Sequence, residues 1–100
     1  MTNYNQMLNL LGIARRAGKI VSGEDIVLNN IKKSKVKFLF IASDAGASSA
    51  KRFLNKSNFY HVPFNNEITK NDLSDAIGQN RTIVGITDNG FARKINELNK

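Results

Sequence analysis

Apolar residues recur along this chain at two periods, and the alternation between them lays out the elements. Met7, Leu10, Leu11, Ala14 and Ala17 fall at i, i+3, i+4, i+7 and i+10, one stripe of a helix over residues 3–17. Arg16 lies nearly opposite that stripe, Arg15 flanks it, and Gly18 is placed to close the helix. A short strand from Lys19 to Ser22 follows. Ser22 or Gly23 then opens a second helix. Glu24 and Asp25 occupy its first turn, where acids complement the helix dipole, and Val27, Leu28 and Ile31 form its buried stripe.

Lys37 to Ala42 reads KFLFIA, a continuous apolar run of the kind buried on both faces of a sheet. Ser43-Asp44-Ala45-Gly46 turns the chain, and Ser43 or Asp44 can cap a third helix that buries Ala47, Ala50, Phe53 and Leu54. Phe59 to Pro63 is expected as a short strand, ended by the single proline. Thr69 and Asp72 resemble a capping box, with Asp in place of the usual Glu. Leu73, Ala76 and Ile77 share one face of the fourth helix, which Gly78 closes. Thr82 to Thr87 is another apolar strand, and Asp88-Asn89-Gly90 caps a last helix carrying Phe91, Ile95 and Leu98. Strands alternating with helices give an α/β sandwich, a small sheet covered on both faces. Repeats, low-complexity tracts and linkers are absent, so residues 1–100 are expected to form one domain.

Composition narrows this picture. A chain of 100 residues buries roughly 60–70% of the surface its unfolded form exposes, enough for one modest core. The sequence has no cysteine, which excludes disulfides and thiolate metal sites and suits a reducing cytoplasm. The first residues, MTNYNQMLNLLG, show neither a signal peptide nor a membrane span.

Charge says more. The net charge is +7, and it is unevenly placed. Residues 1–60 hold ten Lys/Arg and three Asp/Glu, whereas residues 61–100 hold five of each. A basic excess confined to one part of the chain points to nucleic acid rather than to a membrane surface. Its richest stretch is Leu10 to Lys37. There Arg15 and Arg16 end a helix, Lys19 follows Gly18, and Gly23 opens a helix that ends in Lys32, Lys33 and Lys35. A helix start beside several cations suits a polyanion, and RNA is the candidate. Some of the Lys32-to-Lys37 charge also complements its own helix dipole.

Other chemistry is weaker. Gly12-to-Lys19 superficially resembles a Walker A loop. Its glycines are one residue too far apart, Ile20 stands where the Mg²⁺-binding Ser/Thr belongs, and no strand precedes it. Asp44 and Asp88 both follow predicted strands. If those strands are parallel, the two acids share the crevice edge of an α/β enzyme; otherwise both are helix caps, the reading preferred here. His61, the only histidine, has no metal-ligand spacing and is expected on a half-buried strand. No cofactor is expected.

The order of elements carries a family resemblance. GKIVSG entering a helix, an apolar strand followed by ASDA, then VPF, TKNDLSDAIG and TDNGFARKI, resembles the ribosomal protein L7Ae/L30e family, in particular its small bacterial YlxQ-like branch. The resemblance covers nearly the whole chain. It implies a three-layer α/β/α sandwich with a small mixed sheet of about four strands. It also implies a non-catalytic protein that recognises structured, kink-turn RNA. In the family, a glycine before helix two is followed by an Asn-Glu pair and then a Lys. Here the glycine is Gly23, the Asn position is Asp25, the Glu position is Ile26 and the Lys position is Asn29, so only the glycine matches. A one-residue shift of the helix start would bring Glu24 or Asp25 into play. The family's second contact is expected in the loop before helix four, Asn66-Glu67-Ile68-Thr69, where Ile68 could pack on a base. The family's Leu-Gly in helix four is Leu73-Ser74, a change read as structural.

The reading is therefore an RNA-binding, ribosome-associated, cytoplasmic protein, expected as a monomer, whose RNA is ribosomal or regulatory and whose neighbours include ribosomal proteins. Gly23, Glu24, Asp25 and Asn29 would face the RNA. Arg15, Arg16, Lys19, Lys32 and Lys33 would meet phosphates, and Asn66 to Thr69 would form the other wall. The alternatives are a protein-interaction module with a basic face and a small-ligand enzyme using Asp44 and Asp88.

Overall fold

The computed structural model describes residues 2–99. Helix α1 (Thr2–Arg16) leads into β1 (Ile20–Ser22), α2 (Glu24–Lys32), β2 (Phe38–Ile41), α3 (Ala47–Tyr60), β3 (Phe64–Asn65), α4 (Lys70–Ile77), β4 (Ile83–Ile86) and α5 (Asn89–Leu98). The strands make one mixed sheet in the order β1-β4-β2-β3. β4 is antiparallel to both neighbours, and β2 and β3 are parallel.

The sheet divides two apolar layers because successive side chains of a strand point to opposite faces. Phe38 and Phe40 face one way, with Val84 and Ile86, and meet Met7, Leu11 and Ala14 of α1, Leu73 and Ile77 of α4 and Ile95 of α5. Leu39, Ile41 and Ile83 face the other way and meet Val27, Leu28 and Ile31 of α2 and Phe53 of α3. All four residues of β2 and of β4 are buried, as their unbroken apolar runs require. Gly85 in β4 is needed for room: a Cβ there would sit 3.1 Å from both Val36 methyls.

The expected strand at Phe59–Pro63 does not exist. α3 continues through Tyr60, His61 ends it in the left-handed conformation (φ 58°), and the strand begins at Phe64. The Ser57 hydroxyl donates to the Val62 carbonyl at 2.5 Å and ties the helix end down. His61 is therefore an exposed helix cap and not a half-buried strand residue. Ala17 and Ala47, expected in buried stripes, are also exposed, each at or beyond a helix end.

The strand directions also separate the two candidate acids. β2 and β4 run antiparallel, so the ends that lead to Asp44 and Asp88 lie at opposite ends of the sheet. Asp88 caps α5, its carboxylate accepting from the Phe91 N–H at 2.9 Å. Asp44 does not cap α3. It accepts from the Lys70 N–H at 2.8 Å, at the start of α4, while Gly46 begins α3 without a side-chain cap.

Candidate nucleic-acid interface

One end of the sheet gathers the end of β1, the start of β4 and the starts of α2 and α3. Gly23 makes the turn from β1 into α2. Its N–H donates to the Ile83 carbonyl at 3.0 Å, and its carbonyl accepts from the Val27 N–H at 3.0 Å as the first bond of the helix. Its dihedrals, φ 94° and ψ 148°, lie in a region open to glycine and closed to residues with a Cβ. α2 thus starts at Glu24, with no one-residue shift. No side chain caps it, and none caps α3. Uncapped N-termini present N–H groups and positive dipole ends, a disposition that favours anions.

Beside Gly23 stands Arg81, in the loop between α4 and β4. A Cβ built on Gly23 would lie 3.7 Å from the Arg81 Nε. That Nε donates to the Ser22 hydroxyl at 3.3 Å, and the Ser22 hydroxyl donates to Gln79 Oε1 at 3.3 Å. The loop itself is pinned by Ser74, whose hydroxyl accepts from the Arg81 N–H at 3.0 Å and donates to the Arg81 carbonyl at 3.2 Å. Ser74, read as a structural replacement, does this structural work. Arg15 reaches over the same loop: a Cβ on left-handed Gly78 would sit 3.3 Å from its guanidinium. Arg15 and Arg81 therefore flank the loop next to the open start of α2.

Sequence reasoning placed Arg15 and Gly23 here and missed Ser22, Gln79 and Arg81. The available signal was an arginine three residues after the helix-closing Gly78, within residues 61–100, which carry no net charge.

The other expected contacts separate. Asp25, Ile26 and Asn29 lie exposed on the outer face of α2, with Ile26 56% exposed. Glu24 is engaged within the protein: it accepts from the Ser49 hydroxyl at 2.7 Å and lies 3.7 Å from the Arg52 guanidinium. Lys32 and Lys33 are at the far end of α2, roughly 13 Å of helix from Gly23. Lys19 sits at the other end of β1, its carbonyl accepting from the Thr87 N–H. Arg16 folds back along α1 toward Gly12.

The loop at Asn66–Thr69 follows β3, at the sheet edge opposite β1. Asn66 and Glu67 are exposed, but Ile68 is only 1% exposed and belongs to the core, so it offers no surface for a base. Thr69 caps α4 by accepting from the Asp72 N–H at 3.2 Å. Asp72 does not complete a capping box. It accepts from the Tyr4 hydroxyl at 2.5 Å, and that hydroxyl in turn accepts from the Thr69 N–H at 3.4 Å. Burial, then this bond to Asp72, raises the Tyr4 pKa above its ordinary value. Among the described residues, no cluster of His, Cys, Asp or Glu could hold a metal ion, and no helix is long and apolar enough to cross a membrane.

Comparison with known proteins agrees with this architecture. A sequence model described as the ribosomal protein L7Ae/L30e/S12e/Gadd45 family matches residues 5–96. The RNA-binding protein YlxQ of Enterococcus faecium is 38% identical over 96 residues, covering 96% of this chain and 93% of that protein. The RNA-binding protein YlxQ of Bacillus subtilis (strain 168) is 40% identical over 90 residues, covering 89% and 90%. A solved structure of a protein with unknown function from Bacillus halodurans C has a TM-score of 0.88 at 34% identity, covering 92% of this chain and 94% of that one. The Giardia lamblia 15.5kD RNA binding protein shares the fold, with a TM-score of 0.86 at 19% identity over 98% of this chain and 85% of that one.

Proposed function

Because this chain belongs to the ribosomal protein L7Ae/L30e/S12e/Gadd45 family, we propose that it is a non-catalytic RNA-binding protein that acts on structured, kink-turn-like RNA in association with the ribosome. The observation that carries the reading is the open start of α2 held beside Arg81, with Arg15 reaching over the same loop at Gly78. A phosphate bend entering this end meets N–H groups and the Arg81 guanidinium, which the Ser22 hydroxyl and the Asn80 carbonyl already orient, so part of the ordering cost is met in advance. The names of the two relatives, both RNA-binding proteins, support the same class of partner.

Base reading would differ from the family's usual pattern. Ile26 offers no hydrogen bond, and Asp25 accepts without donating and repels phosphate. Good bidentate base contacts are worth about 1–3 kcal/mol of discrimination each. With those lost, phosphate contacts and shape would supply most of the binding. Asn29 and the edge of Ile26 remain as adaptable contacts on α2 beyond the Gly23 turn, whereas Asn66 lies at the opposite edge of the sheet. Lys32, Lys33 and Lys19 would touch only an RNA that extends beyond that turn.

The test is a titration with two RNAs of equal length, one with a kink-turn and one a plain duplex, at two salt concentrations. Preference for the kink is expected, and Arg81→Ala should weaken its binding by roughly tenfold and flatten the salt dependence by about one contact. Equal affinity for both RNAs, or an Arg81→Ala protein that binds like the parent, would overturn the proposed site.

A further inference from the structure

The end of the sheet opposite Gly23 carries a groove of about 500 Å³ between the α2–β2 loop, the α3–β3 loop and α5. Lys37, His61 and Arg93 line it, with Tyr60, Asn89 and Asn96. No carboxylate lines it. Of the two carboxylates adjacent to it in sequence, Asp88 is turned into the first turn of α5, where it accepts from Phe91, and Glu97 lines a different concavity along α5. The His61-to-Pro63 ridge divides this groove from a second concavity that reaches Phe64.

Three features set this surface apart. First, its charge has one sign. Arg52–Glu24 is the one ion pair among the described residues, so neither Lys37 nor Arg93 is neutralised by a carboxylate. Second, two exposed aromatic rings adjoin the groove. Phe59 is 72% exposed, its ring packs edge-on against groove-lining Tyr60 at 4.9 Å, and Phe64 is exposed across the ridge. Third, the two non-glycine residues with left-handed backbone among the described residues, Ser34 and His61, both form its rim. Such residues fix a loop in one shape.

We propose that this groove binds single-stranded RNA, as a second surface separate from the Gly23 end. Cations would track the strand's phosphates while Phe59, His61 and Phe64 stack on its bases, and Asn89 and Asn96 would offer amide hydrogen bonds to base edges. Cations with exposed rings at their border are what a strand with exposed bases can use; an acidic protein would need only the charge. A protein with both surfaces would hold a folded RNA element at one end and a flanking strand at the other. The groove's own binding does not depend on the first surface.

The probe is an oligouridine about ten nucleotides long, within the reach of one such groove. Amide chemical shifts should move at His61, Phe64, Arg93 and Asn96, and not at Gly23 or Arg81. Phe59→Ala should weaken binding by at least fivefold, the lower end of the stacking range, and Phe59→Leu should not restore it. Arg93→Ala should lower the salt slope by roughly 0.7. Arg81→Ala should leave oligouridine binding unchanged while weakening the kink-turn RNA, so failure of either surface is read separately. Shifts confined to the Gly23 end, full binding by both Phe59→Ala and Arg93→Ala, or equal binding of an oligoglutamate peptide in the groove would overturn the proposal.

Discussion

Gly23 is the residue on which the Gly23 end of the sheet turns. Its constraint is conformational and not steric, because a Cβ would meet Arg81 only at ordinary contact distance. Gly23→Ala is therefore expected to cost about 1–3 kcal/mol through backbone strain alone, read as a lower urea midpoint with unchanged slope. Tyr4 gives a second prediction at this scale. Its pKa is raised above 10.0, first by burial and then by the bond to Asp72. A group held protonated in the folded state contributes its full stability below the unfolded value and loses it as pH rises through the folded one. Stability should thus fall more steeply above pH 10 than in Tyr4→Phe, as denaturant midpoints at successive pH values would show. Gly23 was legible from sequence because only glycine fits before that helix. Arg81 was not, because a loop arginine carries no period and the hydroxyl that its Nε meets, that of Ser22, is 59 residues away.

Elements were read well wherever a stripe was long. α1, α2, α4 and α5, and the runs that became β2 and β4, stand within a few residues of their expected bounds. The error fell at the α3–β3 junction. Phe59, Tyr60 and Val62 supply apolar residues at a spacing that fits a strand, yet Phe59 and Tyr60 are a helix's last residues and Val62 is a buried loop residue. Local pattern cannot distinguish these, since a two-residue strand carries almost no pattern of its own. Caps fared similarly. Asp88 caps its own helix, as expected, whereas Asp44 serves α4, 26 residues away, a partner that only the tertiary fold supplies. Asp88→Ala should cost about 1 kcal/mol by loss of the α5 cap. Asp44→Ala should cost less in thermal unfolding, because Thr69 still caps α4.

At the scale of the molecule, the alternation of strands and helices foretold a covered sheet but not its strand directions. The antiparallel setting of β4 decides the geometry of the candidate site. It sends Asp44 and Asp88 to opposite ends and brings Gly23 to the start of β4 beside Arg81. The basic half of the sequence likewise does not become one patch: Arg15 joins the Gly23 end, while Lys19 and Lys37 flank β4 at the other. Charge asymmetry along the sequence is therefore not the charge asymmetry of one surface.

The position of β4 also sets when this protein can fold. β1 and β2 are not neighbours; β4 lies between them and is the last strand made. A fragment ending at residue 80 is expected to show helical signal without a cooperative unfolding transition, since neither β1 nor β2 would have its central partner. On the elongating chain, Ser22 waits for Val84, which at about 5–20 residues per second is a delay of several seconds. The unbroken apolar run of β2 is exposed during that interval, so the chain is most vulnerable to aggregation and to capture by chaperones until β4 emerges. Completion of the sheet waits on the strand that β1 and β2 share, and a stall before Ile83 would leave both without their common partner.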